Sequence, residues 1–342
     1  MIIEEFSEKD ELTWDNYVKN HDEAALYHLI GWKKLVEKVF GLNAIYLMTK
    51  DNGVVKGILP LFMVKHWLFG KKLISIPFAI SGGVCADSVL VEDGLIKRAI
   101  ELSKRMNVDY LEFRHINERN GDLVTNRNYF TLMLKLDPDP QKVWREKIRR
   151  QRRRYVQKGL ENDFDIDLIA NDIDDFYEVY SQGQRDLGTP VLSYEWISNL
   201  FVAFPKYHTI ARLRYHGKTI AVLFVREFKN TISPTLGYGL QEYKNYYPFY
   251  TLIWKLIENS CERGIKWFDF GRSVQESGTF QFKTGWGAEP VQLNYQYYLH
   301  NKKKMPDTSQ MNPKRKQFAK IWKMLPLAVA NTLGPAIRKY YP

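Results

Sequence analysis

The apolar and polar positions of this chain run through the same order of periods twice. AIYLMTKDNGVVKGILPLFMV and HTIARLRYHGKTIAVLFVREF each read as two alternating runs joined by a glycine turn, which predicts two antiparallel hairpins. Each is preceded at the same spacing by a Trp and a Phe: Trp32, Phe40 and the turn glycine Gly53 in the first half, Trp196, Phe204 and Gly217 in the second. A second match follows. LIKRAIELSKRMNVDYLEF aligns with LIWKLIENSCERGIKWFDF, pairing Leu95 with Leu252, Ile100 with Ile257, Glu101 with Glu258 and Phe113 with Phe270. In both, a helical period gives way to a strand. Each half therefore predicts helix, antiparallel hairpin, further strand, helix, strand, so the chain reads as two copies of one α/β unit.

The halves differ at their ends. The second runs on through GIKWFDFGRSVQESGTFQFKTGWG, Gly264 to Gly287, whereas the first ends in LEFRHINERNGDLV. Ile265, Trp267 or Phe268, and Phe270 alternate as in a buried strand. That strand is expected to stop at the polar corner of Asp269, Gly271, Arg272 and Ser273, and ligands bind beyond strand ends in open α/β sheets. Phe280, Phe282 and Trp286 then bracket Lys283. Aromatics around one lysine fit a positive charge held in a dry cleft, and equally an amphipathic turn with a solvated lysine. If one copy keeps the chemistry, it is the second.

Between the copies lies KVWREKIRRQRRRYVQKG, read as one basic helix over 141–159 with Trp144, Ile148 and Tyr155 as its docking stripe. Its arginines suit a solvated face, a contact with RNA or another phosphate polymer, or interdomain salt bridges. Near the C-terminus, Asn312 and Pro313 read as N-cap and N1. Phe318, Ile321, Trp322 and Leu325 line one face of a basic helix that stops at Pro326. That helix can dock on the body or lie in a membrane interface, lysines up.

Composition adds limits. The 342 residues allow two domains, and a net charge of +11 points to an anionic partner. Cys85 and Cys261 form no CxxC or Cys/His cluster, so neither a zinc site nor a disulfide framework is expected, and a reducing compartment is. The acidic N-terminus lacks the build of a signal peptide, and no run reaches the ~20 apolar residues of a spanning helix. A cytoplasmic protein is expected, in places peripheral to the inner membrane face. HExxH, GxSxG, Walker A and Rossmann patterns are absent from the sequence, which leaves no support for a metal or a resident cofactor. Gly82 and Gly83 in ISGGVCADSVLVED suit an anion-binding nest or a tight turn.

The element order is that of the GNAT acyltransferase fold. A CoA-using member is expected to carry an Arg or Gln and close glycines ahead of its central helix; GYGLQEYKNYYPFYTLIW carries tyrosines and Pro248 instead. FDFGRS, GTFQFKTGWG, LFGKKLISIPFAISGGVCAD and NPKRKQFAKIWKMLPLAVANTLGP together resemble the FemAB-related proteins, in particular the branch found with PEP-CTERM/exosortase and exopolysaccharide systems. The resemblance spans nearly the whole chain. It implies an α/β fold of tandem duplicated GNAT-like domains with mixed sheets: residues 1–140, completed by 296–342, and residues 141–295 with the active site. It also implies acyl or aminoacyl transfer to an amine or hydroxyl of a cell-surface glycan or its carrier-linked precursor. The donor, aminoacyl-tRNA or an acyl thioester, is then a co-substrate, and the acceptor is anionic. By the same resemblance Lys283 matches the lysine of the FK motif near the transferred ester, Arg185 in YSQGQRDLGTP faces substrate, and Lys33 and Lys34 lie near a phosphate-binding lysine. No coiled-coil arm is inserted at the interdomain helix, which leaves tRNA use open. Asp269 and Arg272 are expected to shape the site floor, Phe282 and Trp286 its wall, and Tyr238 or Tyr247 to donate a hydrogen bond. The alternative is a non-catalytic protein that binds an anionic glycolipid or RNA.

Overall fold

Both hairpins form where the alternation puts them, and with the same turn. In the computed structural model, which describes residues 2–66, 70–119, 123–302, 304–305 and 313–340, Asn52 and Gly53 have φ of 49° and 81°, and His216 and Gly217 have 49° and 78°. Two successive residues at positive φ make the two-residue turn whose twist matches that of its strands. The N-cap expected at Asn312, and Leu68 and Phe69 of the LFGKKL run, lie outside the described residues.

The chain divides into two units, Met1–Tyr129 with Gln292–Thr308 and Lys339–Pro342, and Phe130–Val291 with Ser309–Arg338. The N-terminal unit holds β1 (Ile2–Glu5), α1 (Glu11–Asn20), α2 (Ile30–Phe40), β2 (Asn43–Asp51), β3 (Val54–His66), β4 (Gly70–Ile74), β5 (Cys85–Ala86), α3 (Val89–Arg105) and β6 (Tyr110–His115). After β7 (Val124–Lys135) come α4 (Pro140–Glu146), α5 (Arg150–Leu160), β8 (Phe164–Ala170), α6 (Ile173–Leu187), α7 (Tyr194–Ala203), β9 (His208–Tyr215), β10 (Lys218–Phe228), β11 (Thr231–Gly239), α8 (Pro248–Glu262), β12 (Trp267–Val274) and α9 (Gly278–Thr284). The last elements are β13 (Glu289–Leu299), α10 (Pro313–Lys323) and α11 (Leu327–Arg338).

The duplication is carried by topology. One unit orders its strands β1-β2-β3-β4-β6, the other β8-β9-β10-β11-β12, in each case antiparallel until the last pair, which is parallel across a helix. Trp32 and Trp196 are each the third residue of the helix before the hairpin, and both are buried. The apolar stripe of α3, Leu95, Ile96, Ala99 and Leu102, covers Leu47, Leu59, Leu61, Leu73 and Leu111 of its sheet. Leu252, Ile253, Leu256 and Ile257 give α8 the same buried stripe. In the N-terminal unit, Asn294–Leu299 of β13 pairs antiparallel with β6, and there the buried His115 meets the Gln296 carboxamide at 3.0 Å.

Three expectations need correction. The strand at 267 does not stop at the polar corner but runs on to Val274, because Asp269, Gly271 and Ser273 are buried within it. The basic helix of 141–159 is two helices. The chain breaks at 147–149, where the Arg149 N–H donates to the Gly285 carbonyl and Gly287 abuts the Lys147 backbone. The tail after 296 does not return as a whole to the first unit. β13 does, while α10 and α11 pack on α6 of the second unit through Ala319 against Gly188 and Gly334 against Val191.

Candidate active site

The site grows from a fork in the sheet. β11 and β12 are parallel but register at only two positions, Thr231 with Trp267 and Ile232 with Phe268, although both strands continue for several residues. At the next position a side chain takes over, the Ser233 hydroxyl donating to the Asp269 carbonyl at 2.8 Å. Beyond it β12 carries Gly271 at φ 75°, a left-handed conformation that suits glycine.

Asp269 holds that bend. Its Oδ1 accepts from the Gly271 N–H at 2.8 Å and from the Thr131 hydroxyl at 2.5 Å, and its Oδ2 faces the Arg226 guanidinium at 3.7 Å. Carboxylate, threonine and arginine are all buried. Both Asp269 oxygens are thus engaged inside the sheet, one of them on the Gly271 backbone. Sequence reading found neither Thr131 nor Arg226, although a lone arginine inside the apolar run IAVLFVREF was a visible signal.

The Gly271 and Arg272 carbonyls receive Lys283. Its Nζ donates to them at 2.9 and 3.0 Å from the last turn of α9, a short helix started by Ser277, whose Oγ accepts from the Phe280 N–H. Burial pushes the ammonium down to about 8; the Asp269 carboxylate opposes this and the Arg272 charge adds to it. An ammonium has three N–H donors, so two are fixed on carbonyls and one remains for a ligand. Arg272 is exposed.

Phe282 and Trp286 belong to an aromatic cluster under the same helix. Phe282 lies 5.5 Å from the Tyr250 ring, and Trp286 6.3 Å from Phe270. Arg152, which sequence reading placed among outward cations, faces inward: its guanidinium sits 5.2 Å from the Phe282 centroid and 5.3 Å from that of Tyr250. Tyr247 joins through its stack on Tyr155, centroids 4.9 Å apart. Trp144 and Ile148 of the expected stripe do dock, Trp144 against Trp254. Ser273 Oγ, Trp286 Nε1 and Arg152 Nε are buried without a hydrogen-bond partner.

Arg185 and Tyr238 form a separate set, joined by Asp186. The carboxylate accepts from Arg185 Nε at 2.9 Å and from the Tyr238 hydroxyl at 3.2 Å. Burial, the first cause, raises the Tyr238 hydroxyl above its ordinary value. Lys33 and Lys34 belong to the N-terminal unit, where Lys33 bridges Glu37 one turn along α2 and Lys34 bridges Glu11 of α1, each at 2.7 Å.

Ahead of α8 there is no glycine turn. Residues Gln241–Tyr246 form a 3₁₀ turn, Tyr247 takes φ 56°, and the Tyr243 and Tyr247 N–H groups bond to Leu240 and Lys244 carbonyls. Pro248 supplies no N–H at all.

Comparison with known proteins bears on the family and the fold. Residues 143–284, the span from α4 to the end of α9, match the acetyltransferase (GNAT) domain family. The fold is shared with FemX, at 14% identity over 88% of this chain and 98% of that one, TM-score 0.68. It is shared too with a tandem GNAT protein from the clavulanic acid biosynthesis pathway, at 9% identity over 87% and 98%, TM-score 0.56. The C-terminal domain of a putative lysylphosphatidylglycerol synthetase from Agrobacterium fabrum matches at 10% identity over 84% and 91%, TM-score 0.57. No curated protein gives a significant match in sequence.

Proposed function

We propose that this FemAB-related chain, with a GNAT domain at 143–284 and the fold of FemX, transfers an acyl or aminoacyl group to an amine or hydroxyl of a cell-surface glycan, exopolysaccharide or peptidoglycan-type precursor. The observation that carries the reading is Lys283. Its ammonium is part-buried, fixed by two carbonyls at the mouth of the β11–β12 fork, and left with one N–H to give. In the reaction the acceptor nitrogen or oxygen forms a bond to the acyl carbon, the carbonyl oxygen gathers charge, and the donor's ester oxygen or thiol leaves as that bond breaks. The acceptor's proton passes to water or to the leaving group. The enzyme's part is to place two substrates and to stabilise the oxyanion, and an ammonium held in place beforehand by two carbonyls serves the second. On this reading Arg272, exposed next to the Gly271 carbonyl that Lys283 grips, is the candidate contact for an anionic acceptor, and Arg185, paired with Asp186, is a second candidate.

Two features bear on the donor. Before α8 the Tyr243 and Tyr247 N–H groups are engaged by carbonyls and Pro248 has none, which leaves fewer donors there for a CoA pyrophosphate. The fold is shared by a putative lysylphosphatidylglycerol synthetase and by a tandem GNAT protein described with reference to AcCoA, so the donor is chosen by experiment and not by the fold. The test is transfer of a radiolabelled aminoacyl group from charged tRNA, run beside acyl-CoA, to amine- and hydroxyl-bearing glycan precursors, with products read by intact mass. Salt-sensitive binding without turnover on any donor would replace the transferase reading with that of a binding protein.

A further inference from the structure

We infer that the two C-terminal helices are a membrane-surface contact: the apolar arcs that α10 and α11 leave uncovered seat in the interface of an anionic bilayer, with the neighbouring lysines on its headgroups. The inference is independent of the transferase reading. It starts from how the helices are held. α10 docks on α6 through Trp322, 3% exposed, and through Ala319, packed so closely on Gly188 that a Cβ there would lie 2.6 Å from the Ala319 oxygen. α11 docks through Ala330 and Gly334, and the Asn331 carboxamide donates to the Ser181 hydroxyl at 3.3 Å.

With that docking complete, apolar residues are left over on both helices. Phe318, Ile321 and Met324 are 41%, 58% and 83% exposed, and Val329 and Leu333, one turn apart on α11, are 40% and 47% exposed. Phe318 stacks on Trp322, ring centroids 5.3 Å apart, and at about 3.6 residues per turn Ile321 and Met324 continue the arc away from the docked face, with Lys320 bordering Met324 and Lys316 and Lys323 next to Lys320. From Pro313 to Arg338 the sequence has Lys314, Arg315, Lys316, Lys320, Lys323 and Arg338 and no Asp or Glu. Among the described residues no helix is long and apolar enough to cross a membrane.

Charge selects the occupant. A second copy seated on this face would set two acid-free cationic segments against each other, which repels. A nucleic acid would take the lysines but gain nothing from Ile321 and Met324. An anionic lipid surface uses both, since an interfacial helix needs an apolar face to bury and cations for the headgroups.

The experiment is co-sedimentation of the full chain with vesicles of phosphatidylglycerol and phosphatidylcholine, and of phosphatidylcholine alone. Binding is expected on the anionic vesicles, falling about tenfold or more on neutral ones and at salt high enough to shrink the Debye length to a few ångström. Ile321→Asp with Met324→Asp should weaken anionic binding about tenfold or more with Tm unchanged, because both side chains are exposed. Lys320→Ala and Lys323→Ala should each weaken it roughly fivefold. No binding to anionic vesicles, or wild-type binding by the aspartate pair, overturns the inference. So does a concentration-dependent dimer that the aspartate pair abolishes, which would assign the face to a second copy.

Discussion

Lys283 reaches the Gly271 carbonyl at 2.9 Å, and Gly271 is held in its left-handed turn by the Asp269 carboxylate on its own N–H at 2.8 Å. The position of the cation is thus set two steps back, in the interior of the sheet, by Thr131 and Arg226.

Lys283→Met should lower kcat by about 10²–10³ in single-turnover transfer, the range for removal of one oxyanion donor. A lysine that only faced solvent would change activity by less than a few-fold. Arg substitution separates two roles, since a clamp on phosphate tolerates guanidinium and an oxyanion contact does not. Wild-type rates in Lys283→Met would leave Arg185 and Arg272 as the remaining candidates.

The pH profile gives the sign. The ammonium is present below about 8 and lost above it. If it stabilises an oxyanion, kcat falls as pH rises through that value. A rise over the same range would instead make the free amine a general base.

Stability should move the other way. The folded value lies below the ordinary 10.5, so between about 8 and 10.5 the unfolded chain binds more protons at this site. Its contribution is unfavourable below about 8 and is relieved as pH climbs to 10.5. Chemical denaturation across that window should show wild type gaining on Lys283→Met.

Asp269→Ala should cost about 3–5 kcal/mol, as it strips the buried Arg226 of this carboxylate and the Gly271 N–H of its acceptor. Asp269→Asn keeps an oxygen for Thr131 and Gly271, and should cost less. Urea unfolding of the two variants orders them. Equal losses would mean that the charge, not the hydrogen bonds, holds the bend.

Gly287→Ala should be damaging out of proportion to its size. Gly287 has φ 80°, and an added Cβ would lie 2.4 Å from the Lys147 carbonyl oxygen, which is backbone and has little freedom to move. A loss of about 1–3 kcal/mol is expected, with kcat reduced because α9 is displaced. Gly285→Ala meets the Arg152 side chain at 2.7 Å and should be milder, since that neighbour is flexible. Thermal melts and transfer rates on both variants check the order.

What could be read in advance was whatever the chain writes locally. Asn52–Gly53 and His216–Gly217 marked both hairpins because a turn needs its own residues, and Lys283 stood out against its aromatic neighbours. Thr131 was invisible because its partner lies 138 residues away. Nothing around it in FTLMLK distinguishes a strand threonine from one that buttresses a carboxylate. The break at 147–149 was hidden for the same reason, as the helical period continues through it and only Gly285 and Gly287 interrupt it. Arg152 shares its helix with solvent-facing arginines, and composition cannot say which one turns inward.

The pairing of β13 with β6 has a consequence for how the protein is made. The Gln296 carboxamide that meets His115 is synthesised 181 residues later, after the whole segment 130–291 has been made. At roughly 5–20 residues per second the nascent N-terminal unit waits about ten to forty seconds with the β6 edge unpaired. A nascent chain stalled before Glu289 should therefore display a sticky edge that the finished chain conceals, measurable as chaperone retention or protease sensitivity at 110–115 that disappears once 294–299 have emerged.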